Sequence, residues 1–137
     1  MKSKKAIISF LLIILLLFAC STDSNFDIDE NEIDQVKISY FEDFGFLNED
    51  FHRTIEKEVE VKDFVYAIST AKRQPGSVDM PEADFNLHFI SSNGDSEAFH
   101  LWISEAYATA TIVKINETDI AYELTEKSRN KIKSMLR

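Results

Sequence analysis

The sequence predicts an α+β domain, a mostly antiparallel sheet of about five to six strands with two helices packed on it. Three observations lead there. Apolar and polar residues alternate with period two over most of the chain from Gln35 onward. A single helical stripe interrupts that alternation between Lys62 and Gln74. Short polar segments at Ser92-Asn93-Gly94 and Asn116-Glu117-Thr118-Asp119 separate neighbouring alternating runs as hairpin loops would.

The elements follow in order. Val36, Ile38 and Tyr40 share one parity in a first strand. Residues 41–53 carry Phe41, Phe44, Phe46, Leu47 and Phe51 among acids without a clean period. They are expected to connect elements and cap the core edge with their aromatics. In Thr54 to Val61, Ile55, Val59 and Val61 alternate with Glu56, Glu58 and Glu60. That pattern predicts a strand with one solvated carboxylate face, with Lys57 at the buried parity protecting its edge.

Phe64, Val65, Ile68 and Ala71 then form a helical stripe over 62–74, which Pro75-Gly76 should stop. Strands over 83–91 and 96–104 follow. A two-residue Asn-Gly turn between them would mix polar and apolar groups on both faces. A three-residue loop, Ser92-Asn93-Gly94, instead groups Phe85, Leu87 and Phe89 with Phe99, Leu101 and Ile103. Strands over 109–115 and 120–124 come next, with Ile115, Val113 and Thr111 set opposite Ile120, Tyr122 and Leu124. Thr125 caps a closing helix whose Ile132, Met135 and Leu136 can dock on the sheet.

At 137 residues the chain has room for one modest domain, and 45% apolar residues with 12% aromatics supply its core. One cysteine excludes an internal disulfide framework, and with three histidines a Cys/His zinc cluster is out of reach. Lys2, Lys4 and Lys5 precede an uncharged run, Ala6 to Ala19, the layout of a secretory signal and too short to span a bilayer comfortably. Leu17-Phe18-Ala19-Cys20 resembles the lipobox of bacterial lipoproteins. That resemblance implies cleavage before Cys20, a diacylglycerol on its thiol, and attachment to the outer side of the cytoplasmic membrane.

The domains are then a signal peptide at 1–19, lipidated Cys20 with an acidic linker to 34, and one α+β unit over 35–137. Ser21 to Asp34 contains six acids and no base, so charge repulsion should hold it extended. Asp27, Asp29 and Asn31 match the opening of an EF-hand loop, but Glu32 and Ile38 stand where its glycine and final glutamate belong. Removing residues 1–19 leaves a charge of about −12. An acidic surface disfavours nucleic acid, and a cationic ligand or an envelope protein fits better as partner.

Pro75-Gly76-Ser77-Val78-Asp79-Met80, His100-Leu101-Trp102-Ile103, and Thr118-Asp119 leading into Tyr122-Glu123-Leu124 resemble the YhfM-like lipoprotein domain of bacilli over about residues 35–137. Ser77 departs from the aliphatic residue expected there. The resemblance implies location and fold and supplies no catalytic residues.

The predicted register places Asn86, His88, His100 and Trp102 on the face opposite the apolar one, joined by Ala108, Ala110 and Ile112. An aromatic beside small residues and imidazoles suits a recognition surface. No Gly-x-Ser-x-Gly elbow occurs, and Gly45, Gly76 and Gly94 are too isolated to cradle phosphate. The expectation is a non-enzymatic binding module of the cell envelope, with no catalytic residue, metal or cofactor. The competing reading is a small hydrolase or metal-dependent enzyme using His88 or His100. Lys127, Arg129, Lys131 and Lys133 give the last helix a basic character that suits its C-terminal dipole.

Overall fold

A computed structural model of the chain describes residues 26–76 and 79–137. The signal segment, Cys20 and the first part of the acidic linker lie outside the described residues. The strands are β1 (Ile33–Tyr40), β2 (Arg53–Ile55), β3 (Lys72–Arg73), β4 (Phe85–Ser91), β5 (Ser96–Trp102), β6 (Thr111–Lys114) and β7 (Ala121–Glu123), and the helices are α1 (Glu58–Ser69) and α2 (Glu126–Met135). All seven strands join one antiparallel sheet in the order β2-β1-β4-β5-β6-β7-β3. This is the expected α+β architecture with slightly more strands. No described helix is long and apolar enough to cross a membrane.

Because β2 and β3 occupy opposite edges of the sheet, α1 carries the chain across its whole width. Val61, Phe64, Val65 and Ile68, at helical spacing, are each at most 1% exposed and share one core with Val36, Ile38, Leu87, Phe89, Phe99, Leu101 and Ile112. Ile132 of α2 completes that core, with Met135 and Leu136 at its margin. Thr125 caps α2 as expected, its side chain accepting a hydrogen bond from the Ser128 N–H at 3.2 Å. A cap of this kind contributes about 1 kcal/mol.

The strand expected over Thr54 to Val61 ends at Ile55, and Glu58 opens the helix. Glu-Val-Glu-Val fits a strand period and a first helical turn equally well over so few residues. The helix wins because Val61 lies on the Phe64/Ile68 face and Glu58 and Glu60 complement the dipole of the first turn. Val59 is consequently 73% exposed, and Lys57 is the exposed N-cap residue rather than an inward edge guard. The helix stops at Ser69, before Pro75-Gly76, with the Thr70 hydroxyl donating to the Ala67 carbonyl at 2.7 Å.

The β4–β5 hairpin has the predicted loop. Ser91 N–H donates to Asp95 O at 2.8 Å, Gly94 takes the left-handed conformation at φ 89°, and Leu87 sits opposite Phe99. The β6–β7 register differs from expectation by one residue, pairing Val113 with Ala121 and Ile112 with Tyr122. Two successive turns, Glu117 N–H to Lys114 O and Ile120 N–H to Glu117 O, take up that residue. As a one-residue slip must, it reverses the faces: Ile112 and Ala110 lie in the main core, not beside His100.

The linker also ends earlier than its composition implied. Phe26 is 7% exposed, its ring edge-on to Phe99 and Tyr122 at 5.0 and 5.1 Å, and its N–H donates to Ala71 O at 3.2 Å. Residues 26–34 therefore belong to the folded unit, and β1 begins at Ile33.

Phe64 stands at the centre of the helix–sheet contact. Phe64→Ala is expected to lower unfolding stability by about 3–5 kcal/mol, read from the urea midpoint at unchanged slope.

Candidate functional site

The register brings Asn86, His88, His100 and Trp102 to one face, with Asn86 directly opposite His100. That face is not open. Asn86 and His100 are 0% exposed and Trp102 is 1% exposed. The 41–53 loop closes over them: Gly45 N–H donates to His100 Nε2 at 3.2 Å, and the rings of Phe41 and Phe44 stand edge-on to His100 at 5.1 and 5.8 Å. Phe51 stacks on His88 at 5.7 Å. The loop is anchored to β1 by Ser39 Oγ donating to Asn48 O at 2.5 Å and Asn48 Nδ2 donating to Tyr40 O at 3.1 Å.

Those bonds fix the chemistry of His100. Since Nε2 accepts from Gly45, the neutral ring carries its proton on Nδ1 and donates it to Asn86 Oδ1 at 2.7 Å. Burial pushes this imidazole down from 6.5 to about 4, against an opposing pull from Asp43. His88 is also held low, by burial first and then by Lys37, with Glu49 opposing. Both nitrogens of His100 are occupied, and no group of three or more potential metal-ligating side chains occurs among the described residues. The tetrad fastens a loop. The face expected to be an open recognition surface is thus covered at Asn86, His100 and Trp102, and His100 has both ring nitrogens hydrogen-bonded.

The free concavity lies at the other end of the same face. Trp102 packs with Val113 and Ala121, flanked by Met80, Ala83 and Tyr107, as a second apolar cluster. Its indole N–H donates to Pro81 O at 2.8 Å, and Tyr107 Oη donates to Glu82 O at 2.9 Å. Along this cluster runs a groove of about 510 Å³, bounded by Pro75, Met80 and Pro81 on one side and by Ala106, Tyr107, Ala108 and Thr109 on the other. Trp102, Thr111, Ala121 and Glu123 also line it. A smaller recess of about 210 Å³ adjoins Trp102 on its Phe44 and Asp79 side.

The second wall is held by α2. Arg129 donates to the carbonyls of Ala108, Ser104 and Tyr107 at 2.9, 2.9 and 3.0 Å, and Lys133 pairs with Glu105. Lys131 pairs with Asp63 of α1 at 2.8 Å. Three of the basic side chains of the last helix are thus structural ties. Sequence reasoning found Trp102 but not the groove, since Met80, Tyr107 and Glu123 come from segments with no shared pattern.

The two imidazoles set an acid limit on stability. Their folded-state pKa values lie below the unfolded ones, so the unfolded chain binds more protons as pH falls below 6.5. Stability should be complete above that pH and fall toward pH 4, where the His100 contribution levels off. Urea midpoints between pH 7 and 4 are expected to show a shallower decline for His100→Gln than for the parent chain.

Comparison with known proteins bears on the fold and the family. Among solved structures, a thioesterase-like protein from Clostridium sporogenes superposes with a TM-score of 0.60 at 12% identity, covering 79% of this chain and 97% of that one. The likeness is one of fold, a hotdog-like arrangement in which a helix links the two ends of an antiparallel sheet. The expectation of a non-catalytic module that binds through the Trp102 face is thereby overturned: Asn86, His100 and Trp102 of that face are buried, and the fold is shared with a thioesterase-like protein. A search of curated proteins gave no match. The family model described as YhfM protein matches residues 29–137, most of the chain and all of the sheet, and the chain belongs to the YhfM family.

Proposed function

We propose that the domain takes an aliphatic, acyl-type chain of a small molecule into the groove over Trp102. The observation that carries this reading is the groove itself. Its volume falls within the usual range for small-ligand sites, and its lining is largely apolar, with Gln74, Thr109, Thr111 and Glu123 among its polar members. The indole nitrogen is hydrogen-bonded to Pro81 and Trp102 is itself 1% exposed, so the accessible apolar contact comes from Met80, Pro81, Tyr107 and Ala108, which line the groove with it. The thioesterase-like neighbour adds a fold in which acyl chemistry is named, without adding a residue.

Trp102 is the single tryptophan of the chain, so its emission reports on the groove. A saturable change on titration with 1-decanol is expected, and Ala106→Phe, which narrows the groove at an exposed position, should weaken binding several-fold. Absence of a saturable change in the parent chain would refute the reading.

One observation favours hydrolysis of the bound ligand as a second reading. The Glu123 carboxylate lines the same groove, where it can take a proton from water attacking an ester or thioester carbonyl. Turnover of a decanoyl thioester that disappears in Glu123→Gln is the expected signature, and no turnover by the parent chain would reject it.

Residues 17–20 further support lipid attachment at Cys20 and a place on the outer face of the cytoplasmic membrane. Intact mass of the protein from its own cells is expected to show loss of residues 1–19 with a diacylglycerol on Cys20. Retention of the leader on a bare thiol would reject this.

A further inference from the structure

We propose that the side of the domain built on β7 and β3 lies against the lipid bilayer, held there by a tether too short to let the opposite end of the sheet approach. The proposal rests on the reading of Cys20 as the point of lipid attachment, and it names the surface which that attachment turns toward the membrane.

The argument is one of covalent reach. By composition the linker would run to Asp34, but Phe26 already packs against Phe99 and Tyr122, with its N–H bonded to Ala71 O. The covalent length between lipid and fold is therefore six residue steps, Cys20 to Phe26, at most about 20–22 Å fully extended and about 13 Å as an average coil. Tyr122 belongs to β7, and Ala71 directly precedes β3. The other edge strand, β2, lies five strand spacings from β7, or about 24 Å. An orientation with β2 on the bilayer demands more than the full extension of the tether, whereas one with the β7–β3 side down needs little of it.

Lys72 and Arg73 are exposed at this edge. Lys127 is nearby, since the hydroxyl of its neighbour Ser128 is 2.7 Å from that of Thr70 at the C-terminal end of α1. Glu123 faces Lys72 and Asp27 follows Phe26, so the edge carries charges of both signs, and reach rather than charge sets the orientation. The groove occupies the same half of the sheet: Trp102, Thr111, Ala121 and Glu123 belong to β5, β6 and β7, and Gln74 and Pro75 follow β3. This orientation therefore sets the groove nearer the bilayer than the β2 end.

The test uses the acylated full chain in vesicles of phosphatidylethanolamine and phosphatidylglycerol that carry a nitroxide on a lipid head group. Cys20 is the single cysteine and its thiol is consumed by the lipid, so a cysteine introduced at an exposed site takes a fluorophore alone. Labels at Lys72→Cys and Thr54→Cys report on the two edges of the sheet. Quenching is expected to be several-fold stronger at Lys72→Cys, and equally so in vesicles of phosphatidylcholine. Inserting about fifteen Gly/Ser residues after Ser24 raises the average reach to about 25 Å and should erase the difference. Equal quenching at the two edges, stronger quenching at Thr54→Cys, or a difference that survives the insertion or vanishes in phosphatidylcholine would overturn the proposal while leaving lipid attachment intact. Failure of the chain to float with the vesicles would overturn the Cys20 reading, and the orientation with it.

Discussion

A sheet whose helices sit on one side must find other cover for its second face, and that constraint shapes this molecule. Both helices contribute to the core that holds Val36, Leu87, Phe99 and Ile112. The opposite face carries Ser39, Asn86, His100 and Trp102, all of them buried, and loops do the covering. Hydrogen bonding decides how well such cover holds, because polar groups that lose water need partners within the protein. His100 meets the requirement with two bonds, one to a neighbouring strand and one to a loop amide. Asn86 Nδ2 and His88 Nδ1 are left without a partner, so the loop side of the domain is less completely satisfied than the helix side.

How legible this was in the chain depends on the length over which a pattern runs. The hairpin at Ser92-Asn93-Gly94 was readable because seven residues on either side agree on one face and glycine suits the left-handed position. The β6–β7 register was not, because four residues facing three tolerate a slip of one at little cost in pattern. Glu58 to Val61 has the same ambiguity, and only the distant partners of Val61 resolve it. Composition misled at Phe26, where an acidic neighbourhood hides one aromatic that the core between Phe99 and Tyr122 accepts.

The functional geometry was less visible for a different reason. Alternation correctly placed His88, His100 and Trp102 together, but it describes a face and says nothing of what lies over it. The cover comes from Phe41, Phe44 and Phe51, in a segment with no regular period. The groove is assembled from two loops and from residues of β5, β6 and β7, so its lining shares no spacing along the chain. Trp102 links the two regions, in edge contact with His100 at 6.2 Å on one side and lining the groove on the other.

The two flanks of the groove are not held alike. Three guanidinium bonds and an ion pair fix the 104–108 segment to α2, whereas among the described residues the side-chain ties of the Pro81–Glu82 segment are one indole bond and one phenol bond. Because the Tyr107 phenol donates from one flank to Glu82 on the other, the α2 ties that hold the 104–108 segment also steady Pro81–Glu82, as one staple holds two sheets of paper.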